Sequence, residues 1–100
     1  MELGAVEVDV IGRCLSAAAD GPFFEDWEFS TLFELSRAEV RWVAENWPNV
    51  DRSDQTVKVA IHNSMGNLLA YPHRRDADLR AYVSGGPSEI ERVFSVWRAG

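Results

Sequence analysis

Two histidines, one cysteine and a few close carboxylate pairs are the residues whose types and spacings could do chemistry in this chain. His62 and His73 stand eleven residues apart, and Asp76 or Asp78 could add a carboxylate beside the second. Zinc takes three or four ligands of His, Cys or carboxylate type at close quarters. Two imidazoles at that spacing do not supply them, and surface or capping roles are expected instead. Cys14 or Ser64 with His62 could form a nucleophile and its base. Cys14, however, is predicted to face the core on an acidic helix, where neighbouring carboxylates disfavour the thiolate that reactivity needs. In a chain with sixteen carboxylates, the pairs Glu25 with Asp26 and Asp51 with Asp54 are expected to be solvated or to cap helices. Gly85 and Gly86 follow no apolar strand and have no Lys after them, unlike a phosphate-binding loop. The expectation is no catalytic, metal-ligating or cofactor-binding residue, no cofactor, and a chain that is not an enzyme.

The elements that must carry these residues read as helices. Ser36 with Glu39 three positions later forms a capping box, and Pro48 stops the helix at Trp47. The segment 5–19 is ambiguous: Val6, Val8 and Val10 alternate as in a strand, while Val6, Val10, Cys14 and Ala17 or Ala18 line a helical stripe. Its length favours a helix, with Glu2, Asp9, Arg13, Ser16 and Asp20 on the other face, and Gly21 and Pro22 end it. The aromatic run Phe23, Phe24, Trp27, Phe29 and Phe33 predicts a short helix over 26–34 that plugs the core. Asp51 or Ser53 caps a helix over 54–70 with Val57, Ile61, Met65, Leu68 and Leu69 on one face. A short helix over 76–83 and a last helix over 87–97, with Pro87 at its first position, complete the chain.

The pattern repeats. At a spacing of fifty, Glu39, Val40, Val43 and Trp47 answer Glu89, Ile90, Val93 and Trp97; at fifty-one, Val6, Val8, Val10 and Cys14 answer Val57, Val59, Ile61 and Met65. The predicted fold is an all-α, compact helical bundle, a single domain over 1–100. It has two pseudo-symmetric halves, units 5–48 and 54–98, each a long helix, a short helix and a capped helix. About fifty residues bury too little surface to stand alone, so one core should be shared about a pseudo-twofold axis. Its expected members are Val40, Val43, Trp47, Ile61, Leu68, Ile90, Val93 and Trp97.

Composition fits a globular chain: 46% of residues are apolar and 26% charged. A net charge of −6 argues against a nucleic-acid partner, whose phosphates call for Lys and Arg. The start of the chain carries Glu2, Glu7 and Asp9 with no basic residue before Arg13, unlike a signal peptide, and no apolar run is long enough to cross a bilayer. A cytoplasmic location and no membrane partner are expected; the lone Cys14 is consistent with a reducing compartment. Charge divides between the halves. Residues 1–50 hold three Arg against ten carboxylates, and residues 51–100 hold seven basic against six acidic side chains. His73, Arg74 and Arg75 stand where the first half has Phe23, Phe24 and Glu25, and Arg92 stands where it has Trp42. At least one of Arg74 and Arg75 should pair with the acidic half.

The residues Asp26, Trp27, Glu28, Phe29, Leu32 and Phe33, and the run from Asn67 to His73, resemble an uncharacterised family of small bacterial proteins of actinobacterial type. That resemblance covers about residues 22–98 and implies a domain family without implying an activity, cofactor or partner.

Small, acidic and helical, the chain reads as a protein-binding module, of the kind found in immunity proteins or antitoxins that shield a basic partner. Trp42 falls roughly 150° from the centre of the helix face that carries Val40, Val43 and Trp47, and its counterpart is an arginine. The predicted contact residues are Trp42, Arg41 and Glu45, with Glu25, Asp26 and Glu28. The alternatives are a small-molecule sensor or enzyme with a pocket between the halves, lined by Trp27, Tyr71, His62 and His73, or a self-associating subunit, which makes a homodimer a third partner class.

Overall fold

A computed structural model describes residues 3–99; Glu2, assigned above to the outer face of the first helix, lies outside them. The chain forms α1 (Ala5–Asp20), α2 (Asp26–Phe33), α3 (Arg37–Asn46), α4 (Gln55–Ala70), α5 (Asp76–Tyr82) and α6 (Gly86–Ala99), with no strand among the described residues. The ambiguous first segment is helical because Val10, Ile11, Cys14, Leu15, Ala17, Ala18 and Ala19 are all buried, a spacing that only a helix can turn to one side. Val6 departs from that stripe. It sits in the first turn, 55% exposed, while Val57, its counterpart in α4, is 3% exposed.

Local chemistry sets the boundaries. The Ser36 hydroxyl accepts from the Glu39 N–H at 3.1 Å and the Glu39 carboxylate accepts from the Ser36 N–H at 2.9 Å, closing the capping box. The cap of α4 is Asp54, which accepts from Thr56 and Val57, one residue beyond Ser53 and three beyond Asp51, the expected caps. Asp51 binds Ser53 within the connection instead. Gly86 rather than Pro87 opens α6, in a left-handed conformation (φ 68°) that glycine adopts without cost.

The long helices α1 and α4 pack on each other at the centre, and each also touches three other helices. Each short helix crosses over: α2 packs on α4, and α5 on α1. The last carbonyls of a helix lack partners inside it, and the opposing long helix supplies them. Asn63 and Asn67 of α4 donate to the Phe33 and Leu32 carbonyls at the end of α2 (2.7 and 2.9 Å), and Arg13 of α1 donates to Tyr82 at the end of α5 (3.4 Å). When α1 is exchanged with α4, α2 with α5 and α3 with α6, the α1–α4 pair maps onto itself and the other touching pairs map onto one another.

Val40, Val43, Ile61, Leu68, Ile90 and Val93 are buried as expected, but Trp47 and Trp97 are only half-buried. Each tryptophan lies at the end of its half, packed against the core on one side and lining a surface groove on the other.

Candidate functional site

The predicted contact residues fall into two neighbouring groups. On α3, Val40 and Val43 face the core, so Trp42, Ala38, Glu45 and Asn46 turn outward, and Trp42 is 56% exposed. Arg41 does not join them. No basic side chain lies in the last turn of α1, and two arginines one turn apart on α3 take over its carbonyls. Arg41 donates to Ala19 O and to the Asp20 carboxylate, both at 3.0 Å. Arg37 donates to Ala18 and Ala19 (3.3 and 3.2 Å), to Phe24 (2.9 Å) and to Asp26 (2.9 Å), with its guanidinium 4.4 Å above the Phe29 ring. Arg41 is therefore a pin between α1 and α3, committed to one carbonyl and one carboxylate that are already present in the fold.

The second group is the start of α2. Glu25 and Asp26 are exposed. Glu28 accepts a short hydrogen bond from the Tyr71 hydroxyl, which together with partial burial holds that phenol above its ordinary pKa. Between them stands Trp27, 78% exposed, which the sequence reading placed in the core. The correction has a simple cause: Phe29 and Phe33 stack with centroids 4.1 Å apart on the buried side, and Trp27, two residues from Phe29, points ~200° away. That angle was legible, but the density of aromatic residues in the run obscured it. The exposed large apolar side chains among the described residues, Val6, Trp27 and Trp42, all belong to the first half.

Other expectations change as well. Among the described residues neither Arg74 nor Arg75 pairs with a carboxylate of the acidic half; Arg75 pairs with Asp78 at 3.2 Å. The ion pair between the halves is made by Arg92, 3.7 Å from Glu7. Of the four residues expected to line a pocket between the halves, His62 lines the groove along α4 and α6, while Trp27, Tyr71 and His73 line neither that groove nor the one along α1 and α3. His73 lies edge-on to Phe23 at 5.0 Å, accepts from the Arg75 N–H through Nδ1 and donates through Nε2 to Leu68 O, so its bonds select the Nε2–H tautomer and close the end of α4. His62 packs edge-on to Phe94 across α6. Ser64 is fully buried while His62 is exposed, so the two cannot act as nucleophile and base. Burial, reinforced by Glu89, pushes the Cys14 thiol up to about 12 and keeps it protonated. Among the described residues, no three His, Cys, Asp or Glu side chains gather as metal ligands, and no helix is long and apolar enough to cross a membrane.

Two open grooves of about 630 and 620 Å³ flank the bundle. The first runs along α4 and α6 and includes Val59, Asn63 and Trp97; the second runs along α1 and α3 and includes Val8, Gly12 and Trp47. These residues correspond at the repeat spacing. In the second groove the Trp47 ring lies so close to Gly12 that a Cβ there would come within 2.7 Å of it, and the indole donates to Val8 O at 2.8 Å. The chain matches no family model, no curated protein and no solved structure.

Proposed function

We propose that this chain is a protein-binding module built from two copies of one three-helix unit, and that its acidic half carries the contact. The observation behind this reading is the confinement of exposed large apolar side chains to residues 1–50, the half with ten carboxylates. All three arginines of that half are engaged within the fold: Arg13 with Asp9 (2.8 Å), Arg37 with Asp26 and Arg41 with Asp20. Glu45 follows Trp42 by three residues and Glu25 precedes Trp27 by two, and both are exposed, a pattern that suits a partner with basic and apolar surface. An inhibitor of the immunity or antitoxin type, acting in the cytoplasm, fits these requirements.

Capture from a native lysate with the wild-type chain, the Trp27→Ala/Trp42→Ala double variant and Lys58→Ala tests the reading. A stoichiometric basic partner that the double variant loses and Lys58→Ala keeps is the expected result. A partner retained by the double variant overturns it.

A further inference from the structure

The geometry points to a binding site for a small anion with a flat apolar body in the groove between α4 and α6. This inference uses the half opposite to the proposed protein contact and does not rest on it. The groove's volume, about 630 Å³, falls within the range of ~300–1,000 Å³ typical of small-molecule sites. Its charge is opposite to that of the protein. Arg52, Lys58 and Arg98 line it with His62, against Glu34 alone as an anion. Asp51 lies close enough to Lys58 to feel its charge but is bound to Ser53. None of the three cations forms an ion pair among the described residues, although the net charge of the chain is −6.

Helical spacing explains how the site arises. Val57, Ala60, Ile61, Ser64 and Met65 give α4 its buried face, which leaves Lys58 and His62, one turn apart, on the groove side with Gln55 and Asn63. From α6, Trp97 supplies an aromatic wall. Its counterpart Trp47 spends its N–H on Val8 O; the Trp97 N–H makes no equivalent bond among the described residues and can donate to a ligand. Arg98 and Arg52 rest over the Phe94 and Trp47 rings at 5.2 and 5.3 Å and pair with no carboxylate among the described residues.

The groove between α1 and α3 is the internal control. It keeps the tryptophan and the neighbouring valine, but its cation Arg13 is neutralised by Asp9 at 2.8 Å, and the positions matching Lys58, His62 and Arg98 hold Glu7, Ile11 and Pro48. The charge is therefore a property of one groove and does not follow from the shared architecture. A phosphate or carboxylate head would sit among the three cations, where charge-assisted bonds are strongest, with the flat body against Trp97.

An NMR titration with 1-naphthyl phosphate, 1-naphthol and inorganic phosphate tests this. The expected result is saturable shifts at the Trp97 indole and His62 for 1-naphthyl phosphate. Affinity should fall as salt rises, by about tenfold or more in Lys58→Glu, and remain unchanged in Asp9→Asn. If Lys58→Glu loses its helical circular dichroism, Arg98→Ala carries the comparison. The proposal is overturned by shifts centred on Val8 and Gly12 of the other groove, by naphthol or phosphate alone binding as tightly, by no saturation at millimolar probe, or by indifference to both charge variants. Concentration-dependent sedimentation that Lys58→Glu abolishes would also overturn it, in favour of an acidic segment of a second copy.

Discussion

The two long helices end at matching places and are finished by different chemistry. At the end of α1, Arg37 and Arg41 reach across from α3 and satisfy Ala18, Ala19 and Phe24 carbonyls. At the end of α4 a single imidazole, His73, turns back to Leu68. The positions that match Arg37 and Arg41 in α6 hold Pro87 and Glu91. The difference shows where each half spends its cations. The first half commits its arginines to internal carbonyls and carboxylates and presents acid and tryptophan outward; the second leaves Arg52, Lys58 and Arg98 along a groove.

The largest expected contrast is between the two matching tryptophans. Trp47→Ala removes a ring packed on Gly12 and a hydrogen bond to Val8, and should cost about 3 kcal/mol; Trp97→Ala, which loses packing alone, should cost about half of that in chemical denaturation. Equal losses would mean that the two half-buried rings do equivalent work.

Next, Arg37→Ala strips the Ala18 and Phe24 carbonyls of their side-chain partner, while Ala19 keeps Arg41, and should cost about 2 kcal/mol, with no rescue by Arg37→Lys because an ammonium cannot span that fan of acceptors. His73→Ala should cost about 1 kcal/mol. A reversed order would move the stability of the molecule to the second half.

A third contrast separates Cys14 from its counterpart Met65, both fully buried. Because the folded thiol titrates near 12, well above its ordinary value of 9.0, its contribution is fully present below pH 9 and is lost as pH rises toward 12. By pH 10 the loss should be about 1.4 kcal/mol, read as a falling urea midpoint whose slope against pH flattens in Cys14→Ala. An unchanged slope would show that other groups cause the alkaline loss.

Ser64 stands where α1 has Arg13, and its hydroxyl is buried without a partner among the described residues. Ser64→Ala should raise stability by about 1 kcal/mol in the same assay, since an orphan hydroxyl costs more than the methyl that replaces it. Destabilisation would indicate an internal water bound there. The smallest effect belongs to Trp42→Ala, within about 0.5 kcal/mol of wild type; a larger loss would show that something covers the ring in solution.

Much of the helical framework was legible in the sequence because its signals act over three or four residues. Ser36 and Glu39 find each other within one turn, Pro48 stops the helix just before it, and the spacing of Val57, Ile61, Met65 and Leu68 declares a buried face before any partner is known. Trp42 was readable for the same reason, lying far around its helix from Val40 and Val43. Other residues depended on what lay above them. Val6 and Val57 hold matching positions, yet only the second is covered by neighbouring elements. Arg41 looks like a surface contact in the sequence, but the packing of α3 on α1 brings it to the Ala19 carbonyl, 22 residues away in the chain. The cation groove likewise unites Arg52, Lys58 and Arg98 from separate segments. Backbone hydrogen bonding and side-chain periodicity are local and can be read along the chain; burial and ion pairing depend on distances between distant segments, which the packing of α1 on α4 decides.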